Sequence, residues 1–230
     1  MTNFNVQIIS DTVCPWCYVG YRRLSRAIQA HKTSYPNDTF SLTWRAFYLN
    51  SASPGFPGVD KQEAYKLKFG AARTEMMQQR LASVGEGDGI SFKFGGKTGS
   101  TRDSHRLLWY AHQQEQQQEK PTAPTTGAPG GLQTRVVENL FRAYFEEELN
   151  ITDPAVLADA AVKAGLGRDE VEKVLKEDVG GPEVDREAKS ASQQLVSGVP
   201  YFSIQGKYTI EGADEPESFL EAFERVKQEE

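Results

Sequence analysis

Both cysteines of this 230-residue chain fall in one short stretch, Cys14-Pro15-Trp16-Cys17, with two residues between them. A thiol attacks only as the thiolate, so a cysteine that does chemistry must sit where negative charge is stabilised. The first turn of a helix is such a place, because its unpaired N–H groups and the positive end of the dipole favour an anion and bring thiol pKa values down to roughly 3.5–7.5. Pro15 suits the first helical position. Cys14 is then expected at the N-cap with its sulfur exposed, as the attacking thiol, and Cys17 one turn in, more buried, as the resolving thiol. At this spacing the two sulfurs can close a bridge, so a mixed disulfide on Cys14 can be released by Cys17. Zinc is the competing chemistry. One CxxC supplies two of four ligands, and His31, His105, His112 or carboxylates would have to complete the set at no recognisable spacing, so no metal is expected.

The elements around the pair must hold it at a helix mouth. Phe4, Val6 and Ile8 alternate with Asn5, Gln7 and Ile9, a strand running straight into the motif. Behind it Cys17, Tyr21, Leu24, Ala27 and Ile28 recur at helical spacing. A second alternating run, Phe40, Leu42, Trp44, Ala46 and Tyr48, completes a βαβ unit whose strands should be parallel. From about Asp60 the period is helical, over roughly 60–84, 101–118, 133–149, 154–164, 169–178 and 182–197. Asp153-Pro154 reads as a helix start and Gly165 as its end. Glycines punctuate 85–100, which reads as a loop with a short strand, and 119–134 has the Pro, Gly and Thr content of a surface loop. Residues 197–212 read as a hairpin turning at Gln205-Gly206, and Pro216 to Lys227 as a closing amphipathic helix. The expected fold class is α/β, a βαβ…ββα frame over 1–59 and 198–230 interrupted by a helical insertion over 60–197.

Bulk properties narrow the function classes. The chain carries 26 basic and 32 acidic side chains, a net charge of −6, with no Lys/Arg run, which argues against nucleic acid. No apolar stretch is long enough to span a bilayer, so no membrane partner is expected, and no secretory leader is visible. A cytoplasmic location follows as the expectation, and in a reducing compartment a close cysteine pair is more often catalytic than structural.

CPWC after a strand, a helical block, then Gly198-Val199-Pro200-Tyr201-Phe202 before a hairpin and terminal helix resembles the DsbA-like branch of the thioredoxin superfamily, and within it the FrnE group of dithiol–disulfide isomerases. Thr101-Arg102-Asp103-Ser104-His105-Arg106-Leu107, Ala143-Tyr144-Phe145 and Glu211-Gly212-Ala213 add to the resemblance, which spans Phe4 to about Val226. It implies that Pro200 is a cis-proline facing the cysteines and that Val199 pairs with an extended substrate beside Cys14. The helical block is expected to pack over the active-site face, with Trp16, Phe47, His105 and Trp109 as candidate walls of a substrate groove, each read as core in preference to contact. The sequence departs from strongly oxidising DsbA proteins in having Pro15-Trp16 rather than Pro-His between the cysteines, which leaves the redox strength open. Asp11 can assist proton transfer around Cys17, although Ser10-Asp11-Thr12 is also good turn sequence and that role is preferred.

The functional expectation is an intracellular thiol–disulfide oxidoreductase or isomerase. Its substrates would be protein or small-molecule disulfides and thiols, with no tightly bound cofactor, glutathione or another thiol as co-substrate, and a monomeric or homodimeric state. Two alternatives stand beside it: a glutathione-dependent isomerase or kappa-class-like glutathione transferase, and a redox sensor without turnover.

Overall fold

The computed structural model describes residues 1–117, 130–193 and 198–229. Its central sheet has four strands in the order β2-β1-β5-β6. β1 (Asn3–Ser10) and β2 (Thr39–Ala46) are parallel, joined by α1 (Pro15–Ser34), as a strand–helix–strand crossover requires. β5 (Tyr201–Ile204) runs antiparallel to β1, and β6 (Tyr208–Glu211) antiparallel to β5. The β5–β6 loop is Gln205 to Lys207, with Gln205 and Gly206 both at positive φ (56° and 66°) and the Lys207 amide donating to the Ile204 carbonyl at 3.1 Å. α9 (Pro216–Gln228) closes the chain. Phe4, Val6, Ile8, Leu42, Trp44, Phe202 and Ile204 turn one sheet face inward against Leu24 and Ile28 of α1 and Phe219 and Phe223 of α9. The α/β thioredoxin-like frame with helices inserted between its strands is therefore what the chain forms.

Between β2 and β5 lie α2 (Lys61–Phe69), α3 (Ala71–Asp88), α4 (Arg102–Gln117), α5 (Leu132–Phe145), α6 (Pro154–Ala164), α7 (Arg168–Lys176) and α8 (Gly181–Gln193). The single helix expected over 60–84 is two. Gly70, at φ 83° and ψ 153°, breaks it, and the second part runs on through Gly85 and Gly87 to Asp88. The short strand expected within 85–100 is β4 (Lys97–Thr98), which pairs with β3 (Val59–Asp60) just before α2. α6 starts on an Asp153 side-chain cap and ends at left-handed Gly165. Most of the loop expected over 119–134, and residues 194–197 of the helix expected over 182–197, lie outside the described residues, and Leu132 to Thr134 are the first turn of α5.

At the end of β1 both sheet faces are covered. Ile9, on the same side of the strand as Asn5 and Gln7, is buried, packed with Ala191 of α8 and with Phe47, Val199 and Tyr201. Helix α8 covers the second sheet face there, whereas Asn5 and Gln7 nearer the start of β1 stay exposed. The edge strand β2 is blocked by side chains. Gln133 accepts from the Trp44 amide at 2.9 Å and donates to the Trp44 carbonyl at 3.0 Å, and Glu187 accepts from the Ala46 amide at 3.2 Å. Unpaired edge groups are thereby satisfied without another strand.

Candidate active site

Cys14 is the N-cap of α1, with φ −88° and ψ 112°, and Pro15 takes the first helical position. No side chain caps this end and no acidic residue lies in its first turn, so the helix presents its amide end toward the Cys14 sulfur. The turn leading in is set by the Cys14 amide donating to the Asp11 carbonyl at 3.0 Å. Cys17 is 1 % exposed, as its place one turn inside predicts. Cys14 departs from expectation: it is 4 % exposed rather than open. The cause is the loop across from it, where the Cys14 thiol donates to the Val199 carbonyl at 3.6 Å. Both thiols are unbridged.

The Val199–Pro200 peptide bond is cis. Gly20, three residues after Cys17, lets this loop close on α1: a Cβ built there would stand 3.0 Å from both Pro200 Cγ and Phe202 Cζ. A side chain at position 20 would therefore require the Pro200 or Phe202 ring to give way by a few tenths of an ångström. Gly20 is a residue whose part in the site the spacing of apolar positions did not reveal.

Beneath the cysteines lies a buried polar floor. Asp11, 1 % exposed, accepts from the Leu49 amide through Oδ2 at 2.8 Å, and its Oδ1 lies 3.5 Å from His105 Nε2. The Thr12 and Ser104 hydroxyls meet at 2.7 Å, and Ser104 donates onward to the Thr101 carbonyl. Asp11 and His105 are thus brought together, with His105 behind the turn rather than on an open groove wall. Asp11 serves as the turn residue, yet its backbone also touches the redox pair: burial first, then the Cys14 sulfur as hydrogen-bond partner and as charge, push the Cys17 thiol well up, while Ser10 and the Asp11 backbone partly oppose this.

Tyrosines form the side of the floor, which the sequence reading missed. Burial, followed by the charges of Cys14 and Asp11, raises the Tyr65 phenol, so this α2 residue lies within electrostatic range of the Cys14 sulfur. Tyr144 is raised by burial and by Tyr65, and its hydroxyl donates to Thr98 at 2.8 Å. Lys61 is buried against it, donating to the Tyr144 carbonyl at 3.0 Å with its ammonium 3.7 Å from the ring centroid, and burial brings its pKa down to about 8. A periodicity scan has no means of finding Tyr65, because on α2 it is merely one half-buried aromatic among lysines.

The remaining candidates separate. Trp16 is half-buried, packed on the core with Arg80 of α3 over its ring at 5.3 Å from the centroid. Phe47 packs beside Val199 and Ile9. Trp109 lies away from them, between α4 and α8 against Ala46, Val184 and Ala188. Among the described residues no group of three or more His, Cys, Asp or Glu side chains is placed to hold a metal ion. Among the described residues no helix is long and apolar enough to cross a membrane.

A CxxC pair opening the first helix of a βαβ unit, faced by a cis-proline that leads into a β-hairpin, defines the thioredoxin-like class of dithiol proteins. Within that class the chain belongs to the DSBA-like thioredoxin domain family, whose model matches residues 5–224. Among solved structures it is similar to a probable DsbA oxidoreductase from Streptomyces coelicolor, at 26 % identity and TM-score 0.81 over 99 % of this chain and 91 % of that one. Its fold is also shared by 2-hydroxychromene-2-carboxylate isomerase, at 16 % identity and TM-score 0.61 over 98 % and 97 % of the two chains. The cytosolic disulfide reductase DsbM from Pseudomonas aeruginosa, solved with GSH, follows at 14 % identity and TM-score 0.59 over 97 % and 99 %. Among curated proteins none matches the chain significantly.

Proposed function

We propose that this protein is an intracellular, cytoplasmic thiol–disulfide oxidoreductase or isomerase of the FrnE type. The observation that carries the reading is the unequal pair at one helix mouth: Cys14 capping α1 under the Val199 carbonyl, and Cys17 buried behind it with its thiol held up. In the reductive direction the Cys14 thiolate attacks a substrate disulfide, forming a Cys14–substrate mixed disulfide and expelling the other substrate sulfur as thiolate. Cys17 then loses its proton and attacks the Cys14 sulfur. The Cys14–Cys17 disulfide forms, the second substrate thiolate leaves, and two electrons have passed from protein to substrate. Glutathione or another small thiol restores the dithiol, and running the same steps backward oxidises a substrate. In this reading Val199 offers its backbone to an extended substrate, Pro200 shapes that edge, Pro15 and Trp16 frame the sulfur, and Asp11 with His105 steadies the turn.

The test is thiol exchange with a model disulfide. Cys14→Ser should abolish turnover, and Cys17→Ser should abolish it while accumulating a mixed disulfide visible by mass spectrometry. The alternative of a glutathione-dependent isomerase, whose fold the chain shares, predicts instead that Cys17→Ser keeps activity. A sensor would oxidise and reduce once per molecule without turnover.

A further inference from the structure

The segment from Lys61 to Arg80, which makes α2 and most of α3, carries five basic side chains against two acidic ones, in a chain that is otherwise strongly acidic. Within it, Arg73 and Arg80 lie seven residues apart on one flank of α3, both exposed. Residues three and four apart are the neighbours that could neutralise them. Those neighbours are Phe69, Gly70, Met76, Met77, Ser83 and Val84, with no carboxylate among them. Some exposed arginines of this protein take a carboxylate, as Arg168 takes Asp159 at 2.6 Å and Arg186 takes Glu183 at 3.2 Å. Among the described residues Arg73 and Arg80 take none. Arg80 rests instead over Trp16, the residue between Trp16's flanking Pro15 and Cys17, at a separation within the roughly 6 Å reach of a cation–π contact. That contact positions the guanidinium beside the cysteine pair and leaves its planar N–H fork, suited to carboxylates, without a partner.

We propose that Arg80, seconded by Arg73, is a carboxylate-recognising flank of the active site, so that favoured substrates are disulfides bearing negative charge next to the reactive sulfur. This rests on the oxidoreductase reading and adds a substrate class to it. Trp16 is the link between the two: it stands between Pro15 and Cys17 in the motif, and its ring carries Arg80. The flank acts on encounter and alignment, leaving the sulfur chemistry to Cys14 and Cys17.

The experiment compares the full-length reduced protein with two disulfides, the dianionic dithiobis-nitrobenzoate and the neutral dithiodipyridine, following release of the coloured thiol at low ionic strength. The readout is the ratio of the two second-order rate constants, which removes any general change in thiol reactivity. Arg73→Gln/Arg80→Gln should lower the anionic-to-neutral ratio about tenfold, Arg73→Gln/Arg80→Lys should recover only part of it because a point charge lacks the fork, and salt should shrink the wild-type preference toward the variant's value. An unchanged ratio in the double variant overturns the carboxylate flank while leaving the dithiol chemistry standing. A wild-type protein whose Cys14 reacts with neither disulfide overturns the oxidoreductase reading and the flank with it.

Discussion

Cys17 is held as a thiol by influences of unequal permanence. Burial is the largest and is always present; the hydrogen bond and the charge of Cys14 come next, and both vanish once Cys14 enters a mixed disulfide. Capture at Cys14 therefore makes Cys17 a better nucleophile without any movement of the chain. The burial that remains still keeps the thiol above its ordinary range of about 8.5, so the thiolate fraction is small at neutral pH and grows as pH rises. With one equivalent of an aromatic disulfide, the second burst of released thiol, which reports attack by Cys17, should accelerate about tenfold per pH unit from near neutrality and still be climbing at about pH 9. A second burst that levels off near neutral pH would mean that Cys17 is not held up in this way. Asp11 and His105, brought to 3.5 Å by different elements, belong to the same scale: they complete the turn under the pair.

At the scale of elements, the stretch Thr101 to Leu107 divides its labour by direction around α4. Ser104 and His105 face the Thr12 and Asp11 turn, while Arg106 points the other way into the helical block. The buried Arg106 guanidinium donates to the Val179 carbonyl at 3.0 Å, to the Leu175 carbonyl at 3.4 Å and to the Val174 carbonyl, and pairs with Asp103 at 2.7 Å. It thereby satisfies the open carbonyls at the end of α7, which a helix terminus inside a fold must have met by some donor. Arg106→Leu keeps the apolar bulk and leaves those carbonyls without their donor. It should cost about 3 kcal/mol, read as a lowered urea midpoint with unchanged slope. The thiol-exchange rate per folded molecule should stay as it is, since Arg106 faces away from the cysteines. A midpoint equal to wild type would show that water serves those carbonyls equally well.

Across the whole molecule, one carboxylate ties the beginning of the chain to its end. Asp38, just before β2, accepts from the Thr2 amide at 2.8 Å and from Lys227 of α9 at 2.7 Å, and meets His31 Nε2 of α1 at 3.0 Å. Burial opposes its ionisation, but the hydrogen bonds from Lys227, Thr2 and His31 and the Lys227 charge outweigh it and hold the carboxyl well below the usual range. A carboxyl lowered in the folded state contributes stability that is complete above its unfolded pKa, near 4, and is lost as pH falls toward the folded value. Asp38→Asn should therefore cost about 1–3 kcal/mol at pH 7, with a gap to wild type that narrows by about pH 3. Urea midpoints at the two pH values check this, and a gap of equal size at both would assign the effect to packing rather than charge.

What the chain order alone determined is considerable: the βαβ start, the hairpin at Gln205-Gly206, the closing helix, and the pairing of an outer Cys14 with an inner Cys17 at a helix start. These are local matters of period, turn chemistry and capping, and neighbours in sequence settle them. The break at Gly70 escaped notice because glycine inside a helical pattern is tolerated until the backbone around it shows otherwise. Burial of Cys14 and Ile9, the meeting of Asp11 with His105, the approach of Tyr65, and the placement of Arg80 over Trp16 were decided by tertiary structure. Each joins residues dozens of positions apart. Their proximity depends on how helices cross and which face of the sheet they cover, and no repeat along the chain encodes that.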